Sequence, residues 1–473
     1  AHGATSDSNR VVIRGDYATS PGTIAFSASG WLDAVRKYTT FKSITITSTA
    51  EGYNCIYASG SAGIVVDGCT LTGGNAGVVL PGTVAFTSAT IKNCIMTGQT
   101  TAGIAQSVTA ASLVSSGITV TGNTIHDTSL YGIYFAITST NSAWTSSTFV
   151  NYLIANNTVY NTPSSSIYAR ACHNDFVTAP TVYSPGLVMS GNTVYNCGTI
   201  AGPSGDHGGL LVSGFVSPVI TNNIVRDTYV TGAGLQTSKN KYPLITFNTI
   251  TGIRAGTEAA AFQNGFPIDG CGIFFDNLTI GGLAYGNYIS DLISTGIPNS
   301  GTGLTFWNCS GSKFIGNIVE NCFTGASYGK SSETDNHLLN NTFINCSYGV
   351  SKIGTDALTG NVTVKNNLLH NCSAGFSIGA NPSITADYNN VYGSMNPYVG
   401  ISAGANDLNV HPLLDADYRP QAAALKRAGT SPSGKDFYGK QFYNPPNIGA
   451  VNDLPATPRY LLTSPKNPDS GIR

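Results

Sequence analysis

Ionisable side chains are scarce in this sequence: 24 Asp and Glu, 23 Lys and Arg and 7 His among 473 residues. Where they gather is therefore informative. One region holds Arg170, His173, Asp175, Asp206, His207, Lys239, Lys241, Arg254, Glu258, Asp269 and Asp276. Two chemistries suit such a set. Hydrolysis of a glycosidic bond needs two flanking carboxyl groups, about 5 to 5.5 Å apart for retention or about 6.5 to 9.5 Å for inversion. Asp276 with Asp206, Glu258 or Asp269 would supply them. Elimination or epimerisation of a uronate needs instead a base at C5, with cations or a metal ion to neutralise the carboxylate. His207 or Lys239 would be that base, beside Arg170 and Arg254. Metal ligands at H-x-x-x-H or C-x-x-C spacing do not occur, so spacing points to no metal, and a calcium ion held by scattered loop carboxylates stays open as the one cofactor alternative.

These residues must be positioned by a frame, and the frame is a repeat. The heptapeptide GNTVYNC at Gly191 returns as GNTIHDT at Gly122, NNTVYNT at Asn156, NNIVRDT at Asn222, FNTITGI at Phe247 and GNYISDL at Gly286. GNIVENC at Gly316, NNTFINC at Asn340, NNLLHNC at Asn366 and NNVYGS at Asn389 continue it. The shared Asn reads as Asn123, Asn157, Asn192, Asn223, Asn248, Asn287, Asn317, Asn341, Asn367 and Asn390. A period of this size denotes a solenoid, propeller or array. Each unit is a short β-branched strand, the Asn, a second short strand, a turn, and a third strand that usually opens with Gly; none has the 3.6-residue period of a helix. The reading is an all-β, right-handed parallel β-helix solenoid with an Asn ladder, the amides stacked every ~4.8 Å and bonded along the axis.

The same stacking accounts for most cysteines. Cys69 and Cys94 take the Asn position in early coils, and Cys197, Cys322, Cys346 and Cys372 share a second position that Thr128, Thr162 and Thr228 fill elsewhere. A slot shared with Thr is a slot for a small buried side chain, so free thiols are expected, in preference to a Cys346–Cys372 disulfide. Asp127, Asp227 and Asp291 recur at the turn after the second strand and read as structural.

Extra chain length is concentrated in the coils between Asn123 and Asn317, on both sides of the third strand. Insertions in stacked repeats collect on one face, often the binding face. They would wall a groove whose floor is the outer surface of the third sheet. With Ile133, Ile167, Leu235, Ile273 and Leu304 facing inward, alternation turns Tyr134, Tyr168, Arg170, Gln236, Ser238, Phe274, Asp276, Thr305 and Trp307 outward. Rings beside polar groups suit a sugar polymer, and equally a subunit interface. The site expected from this pattern has Asp276 with Asp206 or Glu258 as catalytic carboxyls and His207 as the alternative base. Tyr134, Tyr168, Arg170, Gln236, Arg254, Asp269, Phe274 and Trp307 would contact substrate. A carboxyl so placed should have a raised pKa, as a general acid requires.

With 10% charged residues and a net charge of -1, the chain offers no electrostatic footprint for nucleic acid or an anionic membrane. It has no apolar run of about 18 residues, and its N-terminus lacks the basic and apolar pattern of a signal peptide. Four segments are expected: entry coils over 1–40, the solenoid over 41–404, a closing segment over 405–453 and an extended tail over 454–473.

That closing segment, DLNVHPLLDADYRPQAAALKRAGT followed by KDFYGKQFYNPPNIGAVND, resembles the end of bacterial and phage right-handed parallel β-helix proteins. Together with the Asn-ladder coils it makes the chain similar to the pectate-lyase-like superfamily over most of its length. The resemblance implies a polysaccharide lyase, epimerase or hydrolase, or a phage tailspike, because the superfamily spans all of these. Similar lyases use Lys, Arg and carboxylate-bound calcium. A tailspike depolymerase is the leading expectation, with hydrolysis ahead of elimination, a polysaccharide as partner, a homotrimer as assembly and the virion as location. A secreted lyase or epimerase, or a non-catalytic glycan-binding or structural β-helix, are the alternatives.

Overall fold

The computed structural model describes residues 11–17, 20–26, 32–33, 38–49, 52–59, 62–110, 112–138, 146–172, 179–198, 208–230, 232–255, 270–293, 300–329, 334–352, 360–378, 384–431 and 434–452. Three long parallel sheets, one of 15 strands and two of 14, run the length of the described chain. Each coil contributes one strand to each sheet: Leu187–Ser190 to the first, Thr193–Tyr195 to the second and Leu210–Ser213 to the third. Pairing is always with the equivalent strand one coil away, as in Tyr160↔Tyr195 and Tyr195↔Arg226. The chain is thus a parallel β-helix from Val11 to Val399, with a single 3-10 turn, Ala423–Leu425, as the only helical element among the described residues. No helix among them is long and apolar enough to cross a membrane.

Each coil packs Ile, Val, Leu or Phe inward, as with Met189, Val194 and Leu210, into one continuous core. Each such side chain contributes roughly 1.5–3 kcal/mol by burial. The third-sheet strands begin with Gly for a steric reason. A Cβ on Gly272 would lie 2.6 Å from the Gly303 carbonyl oxygen of the next coil and 2.8 Å from Ile289 Cγ2.

The Asn ladder is complete from Asn123 onward. Asn192 Nδ2 donates to Asn223 Oδ1 at 2.9 Å and to the Ile154 carbonyl at 2.9 Å, and Asn223 Nδ2 donates to Asn248 Oδ1 at 3.0 Å. Two cysteines precede Asn123 in the column: the Cys69 backbone N–H donates to Cys94 Sγ at 3.4 Å and the Cys94 N–H to Asn123 Oδ1 at 3.0 Å. The residue before each ladder Asn is left-handed, with φ of 54° at Asn156 and 55° at Asn222. Gly and Asn tolerate that conformation best, which explains the recurring GN and NN pairs. The residue four after the ladder Asn is left-handed too, at Asp127, Asn161, Asn196, Asp227 and Asp291, giving the recurrent acids a backbone role.

One ladder assignment is corrected. The last member is Asn389, not Asn390: Asn367 Nδ2 donates to Asn389 Oδ1 at 3.1 Å. Asn390 instead holds the closing segment, its Nδ2 donating to the Val410 carbonyl and its Oδ1 accepting from the Val410 N–H, both at 2.9 Å. The ladder ends on Asp407, whose Oδ1 accepts from the Asn389 backbone N–H at 2.7 Å and from Asn389 Nδ2 at 3.3 Å. Its Oδ2 accepts from Tyr398 Oη and Gly404 N–H, both at 2.9 Å.

The closing segment turns back along the outside of the solenoid. Leu425 and Ile448 cover Leu368, Phe437 and Val451 cover Ile318, and Phe442 covers Ile315 and Leu339. Tyr288 and Tyr418 both donate to Glu320 Oε1, one from the second sheet and one from the closing segment. All ten cysteines are buried and free.

Candidate functional site

The outer face of the third sheet is built by Tyr131–Ile137, Ile167–Arg170, Leu210–Ser213, Ala233–Ser238, Cys271–Asp276 and Thr302–Phe306. Register places Tyr134, Tyr168, Leu211, Gln236, Phe274 and Thr305 in one column. A second column, two residues on, holds Ala136, Arg170, Ser213, Ser238 and Asp276. The inward partners Ile133, Ile167, Leu235, Ile273 and Leu304 lie in the main core, whereas Phe274 and Trp307 form a separate cluster with Ala233 and Cys271. Alternation therefore gives the direction of these side chains correctly.

It does not give their exposure. Asp276 is 3% exposed and Gln236 0%, and Phe274, Thr305, Trp307 and Tyr168 are likewise buried. The expected open floor is a covered one, because alternation fixes which way a side chain points and not what lies above it.

The face has two parts. Upstream, Tyr131, Tyr134 and Tyr168 form an aromatic group, with Tyr134 and Tyr168 stacked at 5.3 Å and Tyr131 4.6 Å from Tyr134. The Arg170 guanidinium sits 5.3 Å from the Tyr168 ring centre. Burial pushes both the Tyr134 and Tyr168 phenols up, and Arg170 partly offsets this. Since two of these rings face each other, the group presents edges and hydroxyls more than open ring faces.

Downstream, Gln236 Nε2 donates to Asp276 Oδ2 at 3.0 Å. In these two columns, among the described residues, two polar atoms are buried without a hydrogen-bond partner: Gln236 Oε1, an acceptor, and Arg170 Nε, a donor. A sugar hydroxyl is both donor and acceptor and can satisfy either. Between them Ser238 Oγ donates to Ser213 Oγ at 3.0 Å, and Cys172 Sγ lies 3.0 Å from Ser213 Oγ. Three coil steps separate Arg170 from Asp276, about 14 Å at the usual strand spacing, so the cation and the carboxylate lie well apart along the sheet.

Other expected residues fall elsewhere. Arg254 is exposed on a short flanking strand, Arg254–Ala255, with its guanidinium 3.2 Å from Tyr229 Oη. Lys239 is buried directly after Ser238, and Lys241 lies past the end of that strand with Nζ 4.5 Å from the Tyr183 ring centre. Asp206, His207, Glu258 and Asp269, with His173 and Asp175, lie outside the described residues. Sequence reasoning missed Leu211, Ser213 and Tyr131. The signal for the first two was the same alternation, applied to the strand GLLVS.

Residues 24–174 match the family described as Right handed beta helix region. The chain is a right-handed parallel β-helix protein. Residues 150–253 of this β-helix also match a family described as Disaggregatase related, and residues 263–411 one described as Periplasmic copper-binding protein (NosD). Among the described residues no group of three or more His, Cys, Asp or Glu could hold a metal ion.

No curated protein sequence matches the chain. Among solved structures, the β-helix is similar to the A-module of the Azotobacter vinelandii mannuronan C-5 epimerase AlgE6. The identity is 13%, the match covers 83% of this chain and 90% of that one, and the TM-score is 0.37. XylC, solved in complex with xylose, shares 12% identity over 81% of this chain and 67% of that one, with a TM-score of 0.42. Tailspike protein 3 of bacteriophage CBA120 shares 12% identity over 83% of this chain and 55% of that one, with a TM-score of 0.34. These are likenesses of fold.

Proposed function

We propose that this β-helix binds and cleaves a polysaccharide along the outer face of its third sheet, as a tailspike-like depolymerase. One observation carries the reading: a carboxylate, Asp276, is buried on the outside of the solenoid, hydrogen-bonded to Gln236 and in the same strand as Phe274. Neighbouring coils carry Ser213 and Ser238 at the same column position, so the fold does not require an acid there, and desolvating a carboxylate is costly unless it has work to do. The reading gives Asp276 one of the two carboxyl roles of glycoside hydrolysis, with Asp206, Glu258 or Asp269 as the second. Arg170 and the tyrosines beside it would hold a sugar several subsites away. The trimeric assembly and the virion location belong to the same reading, with a secreted enzyme as the alternative setting.

Arg170 and Lys239 on the same part of the sheet favour a second reading, elimination or epimerisation of an acidic glycan, with His207 or Lys239 as base. Incubation with a panel of bacterial surface polysaccharides, followed by reducing-end release and the ultraviolet absorbance of unsaturated uronate, separates the two. Reducing ends without absorbance are expected. Asp276→Asn keeps the shape and removes the charge, and should lower the rate at least ~100-fold with the melting temperature unchanged. Near wild-type cleavage by Asp276→Asn, Asp206→Asn and Glu258→Gln would exclude this face as the active site. Binding of a glycan without cleavage would leave a glycan-binding protein.

A further inference from the structure

The first sheet carries an apolar stripe on its solvent side. Leu153, Val188, Val219, Leu244 and Leu283 are register partners in five successive coils, bounded by Thr119 upstream and Lys313 downstream. Their neighbours Met189, Ile220 and Ile245 point into the core, so the stripe faces outward by alternation. Leu153 is 37% exposed, Val188, Val219, Leu244 and Leu283 are half-buried, and Tyr242 and Ile280, beside the stripe at its downstream end, are 59% and 36% exposed. The next outward column of the same sheet is polar, Ser190, Thr221 and Thr246, and a contiguous apolar patch on a protein surface marks a contact.

The chain itself covers one end. Leu283 pack, with Tyr285, against the cluster of Ile315, Leu339 and Phe442 of the closing segment. Upstream of that contact the stripe continues through Leu244, Val219, Val188 and Leu153 for about 14 Å at the usual strand spacing, with no such cover from the described closing segment.

We propose that a second copy of this chain covers it: copies pack side by side with their solenoid axes aligned, each contributing this stripe to a shared seam. The stripe has no charged member between Thr119 and Lys313, so it fits a surface like itself and offers a charged partner nothing to pair with. A net charge of -1 gives little repulsion between copies. The stripe follows the solenoid axis, and an aligned copy has the same coil rise, so the two match coil for coil along its whole length. The seam also extends a contact that the chain already makes through Phe442. This rests on the trimeric reading above and assigns it a face.

Sedimentation velocity across a concentration series tests both. The wild type should sediment as a trimer, and Val219→Lys with Leu244→Lys should shift it to monomer with at least a ~10-fold weaker association. Since all ten native cysteines are buried, Val219→Cys adds an accessible thiol, and mild oxidation with diamide should link chains pairwise. Thr193→Cys, outward on the second sheet, should not. A monomeric wild type overturns the assembly and the seam together. An oligomer that survives the double Lys change, or that links as readily through Thr193→Cys as through Val219→Cys, overturns the seam alone. If the Lys variant does not fold, the two Cys variants decide.

Discussion

Two stretches of the third sheet share a backbone and differ in what they present. From Tyr131 to Trp307 the outward column runs Tyr134, Tyr168, Leu211, Gln236, Phe274. From Thr305 onward the same column runs Ser327, Ser351 and Ser377, with Val399 in the last strand. Inside, nothing changes: Asn223 and Asn341 make the same amide bonds, at 3.0 and 3.1 Å. The three serines show that the solenoid accepts a small side chain at these positions. The rings, the amide and the nearby carboxylate upstream go beyond that and therefore call for another explanation.

The comparison is broken most directly by activity. Asp276→Asn should cost at least ~100-fold in glycan cleavage, whereas Ser351→Ala, on the same sheet, should stay within about twofold. Equal effects would show that the two stretches do not differ in function. The next largest effect concerns what they share. Asn223→Leu and Asn367→Leu should each destabilise by about 2–4 kcal/mol, because each leaves neighbouring buried amides unpartnered. Chemical denaturation would show whether the ladder is equally demanding in both; an unchanged midpoint for either would end the account given of it.

A smaller effect belongs to the later coils. Burial holds His337 and His370 below the ordinary value of 6.5, so the unfolded chain takes up protons first. Their contribution to stability is full above about 6.5 and is lost as pH falls through the folded values. The melting temperature should drop on acidification, and less so in a His337→Asn, His370→Asn variant. The smallest effect is in thiol reactivity. All ten thiols are buried, and burial pushes Cys55 and Cys322 up to about 12, so the native protein should react slowly with Ellman's reagent, most slowly at those two. Prompt reaction of Cys322 in the native state would show that the later coils open locally.

The fold was legible because its requirement is chemical and repeats. A ladder needs an amide in every coil, and a left-handed residue must precede it. The one slip, Asn390 for Asn389, arose where that preceding residue is Tyr388, at φ 60°, so the usual NN pair slid by one position. The outward residues of the site were legible in direction from alternation. Their burial was not, since alternation fixes direction and not what lies above a side chain. Leu211 and Ser213 escaped because GLLVS reads as uniformly apolar and small. The expected partner carboxyls Asp206, Glu258 and Asp269 sit in inserted segments, where no repeat constrains the sequence and no register can be read.

Asp407 gives the solenoid a terminus in a further sense. Every ladder amide hands its N–H to the next coil and receives one from the coil before, so the column has a direction, like a sentence read one way. A carboxylate can receive and has no N–H to hand on. With its second oxygen already engaged by Tyr398 and Gly404, Asp407 acts as a full stop: the amide column ends where the chain first offers an acid in place of an amide.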